Sequence, residues 1–341
     1  MGKHLTYSDR VRIEALLKAR KSRAEIAAII GCSVRTVFYE LKRGQYERLD
    51  GATWQTVKAY SPDIAQQAYE QAQTAKGKPI KLGKSWEFVE YVEHKIKTEK
   101  YSPRAVLAEA KKENIDFGFT VSHATLYSWI HKGYLTVTKK NLPEWSKRKN
   151  KPRFKRVANY RHPLEKSIEK RPAEVAEREM FGHWEMDTVI GKKEGKQHCL
   201  LVLTERKTKM EIIRKLKSKT ASEVVRVIDD LHKEYENTFN HIFKTITCDN
   251  GGEFSDCLGI EKHNRTKLYY CHPYASWERG QNENANRLIR RWMPKGQSLN
   301  RYSKKYVEAI ETWMNNYPRQ KLNWQRPIDL FNMELARLSL L

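Results

Sequence analysis

The sequence predicts a multidomain protein, all-α in its N-terminal part and α/β in its C-terminal part. Three observations carry this. Residues 5–131 hold two sets of three short helical signals with glycine at the turns. After Gly182 the apolar residues alternate or run over strand lengths instead of recurring at helical spacing. Between the two parts, residues 132–163 have no apolar period and carry 11 Lys and Arg against one acid, Glu144. The expected boundaries are 1–60 for a first helix-turn-helix domain, 61–131 for a second, 132–172 for a basic linker and 173–341 for the α/β domain.

The first helical signal runs from Ser8, a candidate cap, to about Ala19, with Val11, Ile13, Leu16 and Leu17 on its apolar face. Ser22-Arg23-Ala24-Glu25 is a capping box that opens a second helix ending at Gly31. Ser33 caps a third, Val34 to Lys42, which stops at Gly44. Short helix, glycine turn and capped helix is the pattern of a helix-turn-helix. Its third helix offers Ser33, Arg35, Thr36, Tyr39, Lys42 and Arg43 to base edges and phosphates.

Residues 45–60 suit a loop or short hairpin, and Ser61-Pro62 starts a polar helix to about Lys76, read as a spacer. The second set comprises Trp86 to Lys97, a helix opened by Ser102-Pro103, and Ser122 to His131. Its last helix presents Ser122, His123, Thr125, Tyr127 and Ser128, the second group of candidate DNA contacts. In the linker, Trp145, Phe154 and Tyr160 stand among the basic residues, a composition that suits tracking phosphates and stacking on bases.

The chain has 65 basic and 41 acidic residues, a formal net charge of +24. Residues 1–170 hold 35 of the basic and 18 of the acidic residues, so the excess is concentrated in the helical half. A large phosphate-bearing partner, double-stranded DNA, accounts for it. Five cysteines form no Cys-x-x-Cys pair and are odd in number, which argues for free thiols in a reducing compartment. No run approaches the roughly 20 apolar residues of a membrane span, and no secretory leader is seen. A cytoplasmic, nucleoid-associated protein is the expectation.

In the C-terminal part, strands are expected at His183–Ile190, Cys199–Thr204, Met210–Ile213, Phe243–Cys248 and Leu268–Cys271. Helices are expected at about Ala221–Glu236, 281–293 and 303–316. That order suits a ribonuclease H-like core. Asp187 lies on the first strand, Asp249 follows the fourth and precedes two glycines, and Glu283 lies on a helix with Arg287, Arg290 and Arg291. If the three carboxylates converge, they form an all-oxygen cage for two divalent metal ions, the arrangement that activates an attacking oxygen and stabilises a leaving oxygen at a phosphodiester. Glu185 and His183 share the Asp187 face at period two; Glu185 is the strongest competing ligand and His183 reads as a packed residue. Glu253 has no stronger claim.

The motifs that carry a family resemblance span nearly the whole chain. They include Gly31-Cys32-Ser33, Thr36-Val37, Glu40-Leu41-Lys42-Arg43 and Ser122-His123-Ala124-Thr125-Leu126-Tyr127. They continue through Gly182-His183-Trp184-Glu185-Met186-Asp187-Thr188-Val189-Ile190-Gly191, Cys248-Asp249-Asn250-Gly251, Trp277-Glu278-Arg279-Gly280, Asn282-Glu283-Asn284 and Asn315-Asn316-Tyr317-Pro318-Arg319. The chain resembles the IS-thirty family of bacterial insertion-sequence transposases, a branch of the DDE transposases and retroviral-type integrases. Thirty-three residues separate Asp249 from Glu283, a spacing similar to the family's. Gly252 stands where a serine is more usual.

The resemblance implies that Asp187, Asp249 and Glu283 are the metal-binding catalytic triad, using two Mg²⁺ ions, with Mn²⁺ an acceptable substitute. It implies DNA cleavage and strand transfer at terminal inverted repeats, with target DNA as second substrate and a homo-oligomer as the working form. Arg290, seven residues beyond Glu283, is a candidate to hold the terminal phosphate. Trp277 and Arg279 are candidate DNA contacts. Two other readings stay open: a repressor derived from a transposase, and a virus-type integrase or nuclease on the same core.

Overall fold

The computed structural model describes residues 4–51, 53–74, 80–143, 163–192, 197–273, 275, 278 and 280–339, which form two compact units, residues 1–81 and 82–341. Most of the basic linker, including Trp145, Phe154 and Tyr160, lies outside the described residues, as do Trp277 and Arg279.

In the first unit, α1 (Tyr7–Lys18), α2 (Arg23–Ile30) and α3 (Val34–Arg43) precede a hairpin of β1 (Gln45–Leu49) and β2 (Thr56–Tyr60) and then α4 (Pro62–Thr74). Helix α1 is capped two residues earlier than the sequence suggests. Thr6 and Asp9 form a reciprocal capping box that satisfies two backbone donors, which Ser8 alone would not do. Ser22 with Glu25 caps α2 as expected, Gly31 closes it at φ +76°, and Ser33 caps α3. Ile13, Ile26, Ala27 and Val37 form the small apolar centre. Val11 points outward, because the position beside it on α1 is taken by Arg10. That guanidinium is buried against Glu40 of α3 at 2.7 Å and also donates to Gln66 of α4. The polar helix α4 therefore packs on the trihelical group.

The second unit begins with α5 (Trp86–Lys97), α6 (Pro103–Lys112) and α7 (His123–Lys132), capped by Ser85, Ser102 and Ser122. The short α8 (Glu174–Glu177) leads into β3 (His183–Ile190), β4 (Cys199–Glu205) and β5 (Glu211–Leu216), an antiparallel meander. Then come α9 (Ala221–Tyr235), α10 (Phe239–Ile242), β6 (Thr245–Cys248), α11 (Cys257–Ile260), β7 (Lys267–Tyr270), α12 (Gly280–Trp292), α13 (Lys304–Asn316) and α14 (Pro327–Ser339). The sheet order is β5-β4-β3-β6-β7, with β6 parallel to both neighbours. This is the mixed ribonuclease H-like sheet that the order of strands and helices predicts; α14 is an addition.

Alternation along β3 and β4 sends the two sets of side chains to opposite faces. Trp184, Met186, Leu201 and Leu203 meet α9, Phe239, Phe243 and Phe331 on one face. Val189, Leu200, Val202 and Ile213 meet α12 and α13 on the other, in an apolar cluster that continues without a break into α5, α6 and α7. Trp313 donates to the Glu99 carbonyl at 2.7 Å, and the Tyr317 hydroxyl donates to Ser102 Oγ at 3.0 Å. The second set of helices is thus joined to the sheet's helical layer by core packing.

Candidate active site

Asp187 lies on β3, on the face that α12 covers, and is half-buried. The parallel register pairs His183 with Thr245 and Glu185 with Thr247. The pairing ends there, with Asp187 two residues farther along β3 and Asp249 one residue past the end of β6. Gly251 N–H donates to Asp249 Oδ1 at 2.9 Å. The turn that does this leaves no room for a side chain. A Cβ on Gly251 would stand 2.5 Å from Glu253 Oε2 and 2.9 Å from Asp249 Oδ1. At Gly252 the space is open, so a serine there would be accommodated.

Helix α12 runs along β3. Gln281 reaches the Arg206 carbonyl, Asn286 donates to Asp187 Oδ2 at 2.9 Å, and Arg290 donates to the Ile190 carbonyl at 2.6 Å. Glu283 is exposed and sits one turn before Asn286, so the two share a flank of the helix. Asn286 is the residue the sequence reading passed over; its signal is the three-residue step from Glu283. Arg290 is half-buried, and burial lowers its pKa. Its guanidinium ties α12 to the last carbonyl of β3.

Glu185 has a structural role. Its carboxylate is fully buried and pairs with buried Arg206 at 2.5 Å. Arg206 in turn donates to the Val175 carbonyl, fastening α8 beneath the sheet. His183 is packed, with Nδ1 against Thr245 Oγ1 at 2.8 Å, and burial followed by the charge of Lys244 lowers its pKa to about 4. Glu253 is buried beside the acids and receives bonds from Thr188 Oγ1 at 2.7 Å and Lys219 Nζ at 3.0 Å.

The donor set is all carboxylate oxygen, which suits a hard divalent cation. Asp187 is on β3, Asp249 follows its parallel neighbour β6, and Glu283 is on α12, which is tied to Asp187 through Asn286. Among the described residues, no three acidic, His or Cys side chains are already gathered closely enough to cage an ion. Glu283 is exposed on its helix.

Of the candidate DNA contacts in the first unit, Arg35, Tyr39 and Lys42 are exposed. Arg35 lies over the Tyr39 ring at 5.7 Å. Ser33 and Thr36 hold the cap of α3, and Arg43 is paired with Glu40 at 2.5 Å. In the second unit Ser122 and Thr125 form the cap of α7, and His123 is exposed beside Arg104 at 3.2 Å. Tyr127 and Ser128 are partly buried, and burial raises the pKa of Tyr127.

Residues 1–44 match a helix-turn-helix domain family, and residues 177–276 match the integrase core domain family. Over 99% of its length the chain is 32% identical to the transposase for insertion sequence element IS4351 of Bacteroides fragilis, covering 98% of that protein. It is 25% identical to transposase InsI for insertion sequence element IS30C of Escherichia coli strain K12, over 98% of this chain and 84% of that protein. Among solved structures, the catalytic core domain of BIV integrase aligns with 46% of this chain and 98% of its own, at 16% identity and a TM-score of 0.35.

Proposed function

The chain belongs to the IS-thirty family of bacterial insertion-sequence transposases, and from that membership we propose how its own residues cut and join DNA. It is a DDE transposase, an enzyme of DNA cleavage and strand transfer. The catalytic group is Asp187, Asp249 and Glu283. The observation that supports this assignment is the hydrogen bond from Asn286 to Asp187, which brings the helix bearing Glu283 against the strand bearing Asp187, whose parallel neighbour leads to Asp249.

The family uses divalent metal ions, and the three carboxylates would hold two Mg²⁺, which lower the pKa of the attacking hydroxyl and stabilise the departing 3′-oxygen. Asn286 holds one carboxylate oxygen of Asp187 and the Gly251 N–H one of Asp249, which restricts how each acid is aimed. Glu283 completes the set from the helix. Arg290 keeps α12 in register with β3 and is the cation proposed to meet the terminal phosphate. The DNA ends are gripped by the exposed residues of α3, chiefly Arg35, Tyr39 and Lys42, and by the start of α7. The terminal inverted repeats are the proposed sites, target DNA the second substrate, and a homo-oligomer the working form.

The test is a cleavage and joining assay on the element's own end DNA with Mg²⁺, comparing the wild type with Asp249→Ala. Metal-dependent products from the wild type and none from a variant that still binds DNA are expected. Specific end binding without product from either protein would overturn the enzymatic reading in favour of a repressor.

A further inference from the structure

Helix α12 has a second flank. At about 100° per residue, Glu283 and Asn286 fall on one side of its buried stripe, and Asn284, Leu288 and Arg291 on the other. That other flank walls a cavity of about 340 Å³, closed by the start of α6 and by the segment after α13. Arg104, Arg178, Lys209, Arg291 and Lys321 line it, and none of these five forms an ion pair with a described residue. Arg104 contacts His123 and Gln320, and Arg291 donates to the Lys100 carbonyl at 2.9 Å.

The acid in the wall does little to offset this charge. Glu211 is buried and already faces Arg319 of the same wall at 4.0 Å, and burial pushes its carboxyl up to about 8. Lys209 is pushed down to about 8, by burial first and then by the charge of Arg178. Two buried polar atoms in the wall, Gln281 Oε1 and Arg319 Nε, have no hydrogen-bond partner.

The cavity does not end there. Arg104, Gln320 and Trp324 also line a broader groove of about 930 Å³ that passes Lys111 and reaches Ser122 and His123 at the start of α7. Helices α6, α7, α12 and α13 share one apolar core, so both ends of this track are fixed in one body.

We infer that the groove carries the phosphate backbone of DNA from the start of α7 to the second flank of α12, so that DNA held by the second helical set passes along the helix that bears Glu283 in the same chain. The inference rests on the reading of the protein as a DNA-processing enzyme. The ligand chemistry is a phosphate ester, and the polymer is favoured over a small anion because the basic lining continues from one cavity into the next. Arg104 and Lys321, both exposed, are the residues that grip it.

The experiment uses the full chain and a duplex of the element end with its flank. Wild type is compared with the double variant Arg104→Gln/Lys321→Gln and with a control pair on the opposite side of the sheet, Lys217→Gln/Lys233→Gln. Affinity is measured across a salt series, with a hydroxyl-radical footprint alongside. The groove variant should bind with a salt slope shallower by about two, since each lost phosphate contact removes roughly 0.9. It should also lose protection beside the cut while keeping that of the first helical unit. An unchanged slope and footprint in a variant that melts like wild type overturns the inference, as does the same loss in the control pair. So does thermal stabilisation of wild type, but not of the groove variant, by inorganic phosphate alone with the DNA slope unaltered. Wild type that binds no DNA overturns both this inference and the proposed function. Wild type that binds and cuts while the groove variant matches it overturns only this one.

Discussion

Asn286 Nδ2 lies 2.9 Å from Asp187 Oδ2, joining the helix of the third acid to the strand of the first. The bond restricts the rotamer of the Asp187 carboxylate. Partners of this kind orient metal ligands, and their loss typically costs 10–100-fold in affinity or activity. Asn286→Ala should lower the cleavage rate by about that factor and raise the Mg²⁺ concentration needed for half-maximal rate. Equal Mg²⁺ dependence in the two proteins would reduce Asn286 to a packing residue.

Gly251→Ala tests the turn around Asp249. The added methyl would meet Glu253 Oε2 at 2.5 Å and Asp249 Oδ1 at 2.9 Å, so both carboxylates must shift. Cleavage should fall at least tenfold, on the order expected for a misplaced ligand, while the melting temperature changes little. Gly252→Ser, with open space around it, is the matched control and should cut like wild type.

The Glu185–Arg206 pair is buried on both sides, and removing one partner strands the other charge. Glu185→Ala should destabilise the second unit by about 3–5 kcal/mol, read by urea unfolding. If Glu185 were instead a metal ligand, Glu185→Gln would keep the fold and abolish cleavage; the structure predicts that stability changes first.

Glu211 gives the protein a pH-dependent term of definite sign. Its carboxyl is raised to about 8 in the folded state from 4.5, so the folded chain holds an extra proton between those values. Stability from this group is complete below about 4.5 and is lost as the pH rises through 8. Glu211→Gln, neutral at every pH, should flatten the decline of stability between pH 5 and 8. A decline of unchanged slope would assign it to another group.

In the first unit, Arg35 is exposed and stacked on Tyr39, so its replacement leaves the core intact. Arg35→Ala should weaken end binding by about 1–3 kcal/mol if it reads a base, with specificity relaxed at that position. If it holds a phosphate instead, binding should weaken on all sequences and the salt slope should fall by about one. Undiminished affinity would remove Arg35 from the interface.

Much of this molecule is determined locally and is therefore legible in the sequence. Ser22 with Glu25, Ser33, Ser102 and Ser122 cap the helices they precede, because a cap is an exchange of hydrogen bonds over three residues. Alternation from His183 to Ile190 and the turn after Asp249 likewise declare a strand and its end. The choice between Glu185 and Asp187 is not local. Both share one face of β3, and only the packing of Arg206 from the end of β4 makes the first a buried ion pair and leaves the second beside α12. Arg10 and Glu40 are another such case, joined across thirty residues in what periodicity alone presents as an apolar helix face. Tertiary structure also decided which flank of α12 meets the acids and which lines the basic cavity, and it packed the second helical set onto the catalytic layer. Those outcomes depend on which distant charges and apolar faces meet, and no short-range period in the chain encodes a meeting between segments so far apart.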